Sequence, residues 1–281
     1  MNQHKNQSPV LKKIILIWDF DGIIGQINAT RPYRMVVPEV TKELEQVEWL
    51  LDYLNQTQVK CCFAITGFSA EKDGWYPYSF PDLVKRIYDA GHEIASHSWK
   101  HEWIPTLNSF QFNGTLKRSK QSLERATEVE NSVKGFVPPH NKPSSWIRRG
   151  AFSLEDRYHF PFYKFGDLDN VIKVVADNGY QWMRVSYNPL YYRLGFGQPM
   201  LAGRVRKYKE LLLFENQCIG FGNGIRQHIE KTNLPTYTVS AHPLMLSFQD
   251  NRSESKENFI QFIEQFSGRD DVCFVTPSSL L

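Results

Sequence analysis

The sequence predicts an α/β fold, a distorted (β/α) barrel of about seven parallel strands, and three observations carry that expectation. Short apolar, β-rich runs alternate with amphipathic helical stretches along the chain. Charged and imidazole side chains gather directly after several of those runs, where the strands of a parallel barrel open to solvent. Neither an internal repeat nor a long linker interrupts the alternation, so residues 1–281 read as one domain with residues 1–12 as a flexible polar lead-in.

Taken in order, Lys13 to Trp18 is an apolar run that stops at two aspartates and Gly22, as a buried strand does when it empties into a loop. Val40, Leu44, Val47, Leu51 and Leu54 recur at helical spacing, and Cys61 to Ile65 follows as a second strand. Strand, helix, strand implies a parallel crossover. A helix from Pro81 to Ala90 stops at Gly91, and a short strand runs through Ile94 and Ala95. A third helix is expected over 112–131, and Phe136-Val137 forms a fourth strand ended by Pro138-Pro139. The residues after Val171 read as helix up to Gly179, and Gln181 to Ser186 as a fifth strand. Leu211 to Phe214, Tyr237 to Ala241 and Val272 to Val275 are further strands. The last two flank a helix with Phe259, Ile260, Phe262, Ile263 and Phe266 on its inner side. The stretch 187–226, rich in Tyr, Gly and Arg, exceeds a normal connection and is expected as an irregular excursion over the barrel mouth, in contact with substrate.

A chain of 281 residues that is 41% hydrophobic and 22% charged is built to bury a sizeable core. A formal net charge of +3 is too small for a general nucleic-acid surface. The four cysteines include an adjacent pair and lack zinc-type spacing, so reduced, buried thiols are expected. The first apolar run is too short for a signal segment or an integral membrane span, and a cytoplasmic location is the resulting expectation.

The chemistry begins at Asp19-Phe20-Asp21, where residues two apart on an extended chain point the same way. Two carboxylates on one face need a cation or a proton to offset burial, which suggests a metal ligand, an acid/base group, or both; capping of loop amides is the bland alternative. His97 and His101 follow the third strand, and an H-x3-H segment turned as a helix lets two imidazoles converge on one ion. One carboxylate and two histidines describe a site that could hold Zn, Fe, Co or Ni. Non-haem iron oxygenases use the same ligand set, but on antiparallel jelly rolls rather than on alternating strands and helices.

The strand ending in Asp19-Phe20-Asp21-Gly22, then Cys62-Phe63-Ala64-Ile65-Thr66-Gly67, then Phe80-Pro81-Asp82-Leu83-Val84 through Ala90-Gly91-His92-Glu93-Ile94-Ala95-Ser96-His97-Ser98-Trp99-Lys100-His101, resembles polysaccharide deacetylases of carbohydrate esterase family 4 in order and spacing. Lys134-Gly135-Phe136-Val137-Pro138-Pro139-His140 is similar to that family's third motif, and Val239-Ser240-Ala241-His242 to its last. The resemblance spans residue 13 to about residue 243 and is most specific over 62–101.

What the resemblance implies is a deacetylase-type barrel with Asp21, His97 and His101 as ligands of a divalent metal, Zn2+ first and Co2+, Ni2+ or Fe2+ as the others. It further implies Asp19 as catalytic base and His242 as general acid. The family usually has adjacent aspartates where Phe20 intervenes here, so the roles of Asp19 and Asp21 could be exchanged. The motif arginine that pairs with the base is Val137 in this chain, and Arg184 at the end of the fifth strand could replace it. No aspartate stands where the fourth motif has one to orient the acid, which leaves the tautomer of His242 open. His140 is either a further site residue or a turn histidine, and Ser98 is expected to orient the histidine loop. Trp75, Tyr76, Tyr78, Trp99 and Trp103 could stack on a pyranose or pack a loop core, while Arg31-Pro32-Tyr33-Arg34 and Arg204 to Lys209 could grip a phosphate. The expected activity is removal of an N-acetyl or similar acyl group from an amino sugar, free or nucleotide- or lipid-linked, in bacterial surface polysaccharide biosynthesis. The alternatives are a hydrolase of another C–N bond, ureide or formamide, and a catalytically weakened carbohydrate-binding protein. The sequence assigns no oligomeric state.

Overall fold

The computed structural model describes residues 11–29, 37–141, 145–147, 163–165, 168–185, 205–215, 218–248 and 253–281. In chain order the elements are β1 (Lys12–Phe20), α1 (Gly22–Ala29), α2 (Val37–Thr57), β2 (Cys62–Ile65), α3 (Pro81–Asp89), β3 (Glu93–Ser96), α4 (Ser109–Thr127), β4 (Gly135–Phe136) and a small antiparallel pair, β5 (Ser145–Ile147) with β6 (Tyr163–Phe165). There follow α5 (Leu168–Asp177), β7 (Trp182–Val185), β8 (Val205–Tyr208), β9 (Leu211–Glu215), β10 (Cys218–Ile219), α6 (Asn223–Lys231), β11 (Thr236–Ala241), α7 (Lys256–Phe266) and β12 (Val272–Phe274).

The main sheet runs β10-β11-β1-β2-β3-β4-β7-β9-β8, with β12 also pairing β1. Every pairing in it is parallel except β8 against β9. The expected barrel is thus a half-barrel. Among the described residues no pairing joins β8 to β10, because β8 returns antiparallel along β9 and occupies that edge, while β10 is only two residues long.

Alternation along β1 decides which residues reach the interior. Ile14, Leu16, Trp18 and Phe20 belong to the large core between sheet and helices, whereas Ile15 and Ile17 join Cys62, Ala64, Ala95, Val137, Trp182 and Phe214 in a smaller core inside the curl. Asp19 continues the inward series, and Phe20 turns outward to stack on Phe80, ring centroids 4.8 Å apart. At the opposite end of the strands, Glu93 accepts hydrogen bonds from the Trp182 indole at 2.6 Å and from the Ser278 amide at 2.9 Å, so the C-terminal turn floors the interior. Functional groups are left with the other end.

Several boundaries differ from expectation for local reasons. Helix α4 starts at Ser109 rather than 112, because Asn108 and Gln111 form a reciprocal capping box, and it ends in the left-handed residue Glu128. Helix α5 begins at Leu168, ahead of Val171. The stretch 187–226 is not wholly irregular, since β8 and β9 form a hairpin there and β10 follows; Arg31 to Arg34 and all of 187–204, Arg204 included, lie outside the described residues. No helix among the described residues is long and apolar enough to cross a membrane.

Candidate metal centre and active site

Asp19 ends the inward face of β1, and Asp21 follows where the chain turns into α1. That turn requires glycine next: Gly22 has φ +63°, and a Cβ there would lie 2.6 Å from Ser69 Oγ. The Asp21 carbonyl accepts from Thr66 Oγ1 at 3.0 Å and from the Gly25 amide at 3.2 Å, which fixes the residue from two sides.

The histidine segment after β3 is a tight turn and not the helix its spacing suggested. Ser98 and His101 both adopt positive φ, and the Ser98 carbonyl accepts from the Gly67 amide and from Ser119 Oγ, each at 2.9 Å. Ser98 Oγ accepts from the Glu102 amide at 3.1 Å, so this serine does organise the loop. Helical geometry is unnecessary because two left-handed residues bring the imidazoles to the same side.

His97 Nδ1–H donates to the Val137 carbonyl at 2.7 Å, which places the lone pair of its ring on Nε2. That Nε2 lies 3.3 Å from Asp21 Oδ1, and His101 Nε2 lies 3.4 Å from the same oxygen. All three residues are buried, and their ligand atoms lie within 4.8 Å of one another. Donors bound at about 2.1 Å to one tetrahedral ion stand roughly 3.4 Å apart, which is the spacing seen between the carboxylate and each imidazole. Asp21 Oδ1 is buried with no hydrogen-bond partner among the described residues, an arrangement that is costly without a cation. Burial pushes the His101 imidazole down to about 4 against the pull of Asp21, so it is neutral and able to ligate at pH 7. The residues therefore fit a divalent metal. Burial works against the Asp21 anion, but the facing imidazoles of His101 and His97 outweigh it and hold the carboxyl below the usual range.

Asp19 is gripped by Arg184 of β7, with Nη1 donating to Oδ1 at 2.7 Å and Nη2 to Oδ2 at 2.5 Å. Burial would raise this carboxyl, yet the Arg184 guanidinium, with His97 and His242, lowers it. Across the mouth, His242 follows β11, and Glu254 Oε2 accepts from both its Nδ1 at 2.9 Å and its backbone amide at 2.7 Å. Desolvation opposes the imidazolium there, but Glu254, Asp19 and Asp21 together push it up to about 10. His140 sits in a left-handed turn conformation, stacks on Trp103 at 3.7 Å between ring centroids and meets the His101 ring edge-on at 4.4 Å. It walls the site.

Two acidic residues went unnoticed in the sequence. Glu43 is fully buried on the inner side of α2, its Oε2 accepting from the Gly22 amide at 3.1 Å; burial and then the charge of Asp21 raise its carboxyl well above the ordinary range. A carboxylate one turn before Val47, inside the apolar stripe of a helix, was its available signal. Glu254 comes from a loop beyond His242 and had no spacing to reveal it. Of the rim aromatics, Trp75 and Tyr76 are 84% and 70% exposed, whereas Trp99 and Trp103 are buried and Trp99 lies under the Arg118 guanidinium.

A curled parallel half-barrel with two imidazoles and a carboxylate converging at its strand ends defines the class. Residues 42–158 match the family model described as polysaccharide deacetylase, the family that the motifs resemble. The matched segment holds His97, His101 and His140. A peptidoglycan-N-acetylglucosamine deacetylase of Bacillus cereus is 30% identical over 101 residues, which is 36% of this chain and 32% of that protein. The chain thus aligns with about a third of the length of its first curated relatives. A Mycobacterium smegmatis protein assigned to the polysaccharide deacetylases shares the fold with a TM-score of 0.63 at 15% identity, covering 96% of this chain and 88% of that one. An allantoinase superposes with a TM-score of 0.60 at 10% identity over 96% and 89% of the two chains. Likenesses at such identities establish the half-barrel alone.

Proposed function

We propose that the protein is a metal-dependent hydrolase that removes an N-acetyl or similar small acyl group from an amino sugar. The observation that carries this reading is the buried, unpartnered Asp21 oxygen facing two imidazole nitrogens, one rim position away from an arginine-held second carboxylate. Asp21, His97 and His101 would hold a divalent cation, Zn2+ before Co2+, Ni2+ or Fe2+, which would supply Lewis acidity to the amide carbonyl. Asp21 suits the ligand role because its free oxygen faces both histidines, whereas both oxygens of Asp19 are engaged by Arg184. A carboxylate in a bidentate pair keeps lone pairs to spare, so Asp19 takes the proton of the attacking water. Arg184 keeps it ionised for that step. His242, cationic and 38% exposed at the mouth, gives its proton to the departing amine nitrogen, and Glu254 on Nδ1 turns Nε2 toward the pocket.

The relative from Bacillus cereus, named for an N-acetylglucosamine in peptidoglycan, supports an amino sugar as substrate class. We place the reaction in assembly of a bacterial surface polysaccharide in the cytoplasm, where the sugar would be met free or as a nucleotide- or lipid-linked precursor. Recovery of the native protein outside the cytoplasm would remove that placement. The deciding experiment measures acetate release from free, nucleotide-linked and oligomeric N-acetylhexosamines, with a cyclic ureide and a formamide as controls. Release that disappears with chelator and in Asp19→Asn supports the proposal; turnover of the controls alone would reassign the bond, and binding without turnover would reduce the protein to a carbohydrate-binding module.

A further inference from the structure

The inner face of α2 buries Leu44, Val47, Leu50, Leu51 and Leu54, and Glu43 interrupts that stripe with no exposure at all. A carboxyl in such a place is unfavourable unless it does something the apolar face cannot. Among the described residues no Lys or Arg pairs with it, and its Oε1 has no partner. Its other oxygen makes a specific contact: Oε2 accepts from the amide of Gly22, in the peptide that follows Asp21, at 3.1 Å.

That peptide matters because of what is already fixed around it. The Asp21 carbonyl is held by Thr66, which follows β2, and by Gly25 in the first turn of α1, and Gly22 has the positive φ at which the chain leaves β1. The Gly22 amide is the other end of that same peptide and defines how the Asp21–Gly22 turn is rotated, and Glu43 reaches it from the helix layer outside the sheet. The direction of the Asp21 side chain, and with it the 3.3 and 3.4 Å approach of Oδ1 to His97 and His101, depends on that rotation.

We infer that Glu43 is a positioning residue for the metal centre: it anchors the Asp21–Gly22 turn to α2 and thereby sets how tightly Asp21, His97 and His101 hold a divalent cation. This rests on the reading of those three residues as a metal site. A residue that merely capped α1 would affect folding stability and leave cation affinity alone, so the two roles separate experimentally.

The test uses the full chain stripped of metal, with zinc affinity measured by competition against a chromophoric chelator and thermal midpoints taken in the metal-free state. Glu43→Leu removes the acceptor and Glu43→Asp withdraws it by one methylene; both should weaken zinc about 10- to 100-fold, the usual cost of losing support behind a ligand. Glu43→Gln keeps an acceptor oxygen at the same reach and should bind zinc within about threefold of the parent. Val47→Ala, one turn along the same buried face, controls for lost stability and should leave zinc affinity unchanged. If Glu43→Leu does not fold, Glu43→Asp decides. A folded Glu43→Asp or Glu43→Leu that binds zinc like the parent overturns the inference, as does a Glu43→Gln that falls as far as Glu43→Leu or a Val47→Ala that falls with them. A parent that binds no zinc would instead bring down the metal-centre reading, and this inference with it.

Discussion

Arg184 of β7 closes a bidentate pair with Asp19 of β1, although 165 residues and three intervening strands separate them. In a flat sheet four strand steps span about 19 Å, far beyond the combined reach of the two side chains, so the pair exists only because the sheet curls. Both partners are buried, and each guanidinium bond lies on a separate carboxylate oxygen.

Replacing Arg184 by Met should therefore cost about 3–5 kcal/mol of stability, because an unpaired carboxylate is left inside. It should also raise the Asp19 pKa, since the arginine is what lowers it, and move the acid limb of the kcat/KM profile to higher pH. Arg184→Lys keeps the charge but not the fork and should fall between the two. Denaturant titration and a pH–rate profile check these outcomes; a Met variant with an unmoved acid limb would show that Asp19 is not the base.

Alanine at Asp21, His97 or His101 should abolish stoichiometric zinc binding, a larger effect than the roughly 10- to 100-fold loss typical of a supporting residue. Hydrolysis by the parent should stop with chelator and return on addition of Zn2+. Metal analysis of the purified variants, alongside circular dichroism to verify folding, is the measurement.

Glu254→Gln should shift the basic limb of the profile to lower pH. The sign follows from the folded state, in which Glu254 and the two aspartates hold His242 up to about 10, above its ordinary 6.5. Any stability this imidazolium contributes is full below 6.5 and fades as pH rises through about 10, so the substitution should also flatten the loss of stability on the alkaline side. NMR titration of His242 in parent and variant reads the shift directly.

Gly135→Ala should destabilise by about 1–3 kcal/mol or more, because the added Cβ would lie 1.9 Å from the Trp182 indole, which is held in place by Glu93. Thermal unfolding checks this. Zinc affinity should change little, since the contact lies below the rim.

Much of this molecule is legible one residue at a time. Period-two alternation through Ile15, Ile17 and Asp19 already points two carboxylates inward past Phe20, and the apolar spacing of α2 and α7 fixes their buried faces. The His97-Ser98-Trp99-Lys100-His101 segment carries the imidazole pair in its spacing, though not the left-handed turn that makes them converge.

What the chain alone determined, then, is the run of parallel strands from β1 to β4 with β7, β9, β11 and β12, their polar ends and the residue types delivered there, because local periodicity depends only on neighbours along the backbone; the short strands β5, β6, β8 and β10 carry no such period. Tertiary structure decided that the sheet stops at a half-barrel, that Arg184 finds Asp19, and that Glu254 and Glu43 stand behind His242 and Asp21. Each of those is a meeting of segments distant in sequence, and it is the curl of the sheet and the packing of helices on it that set which ones come within hydrogen-bond reach.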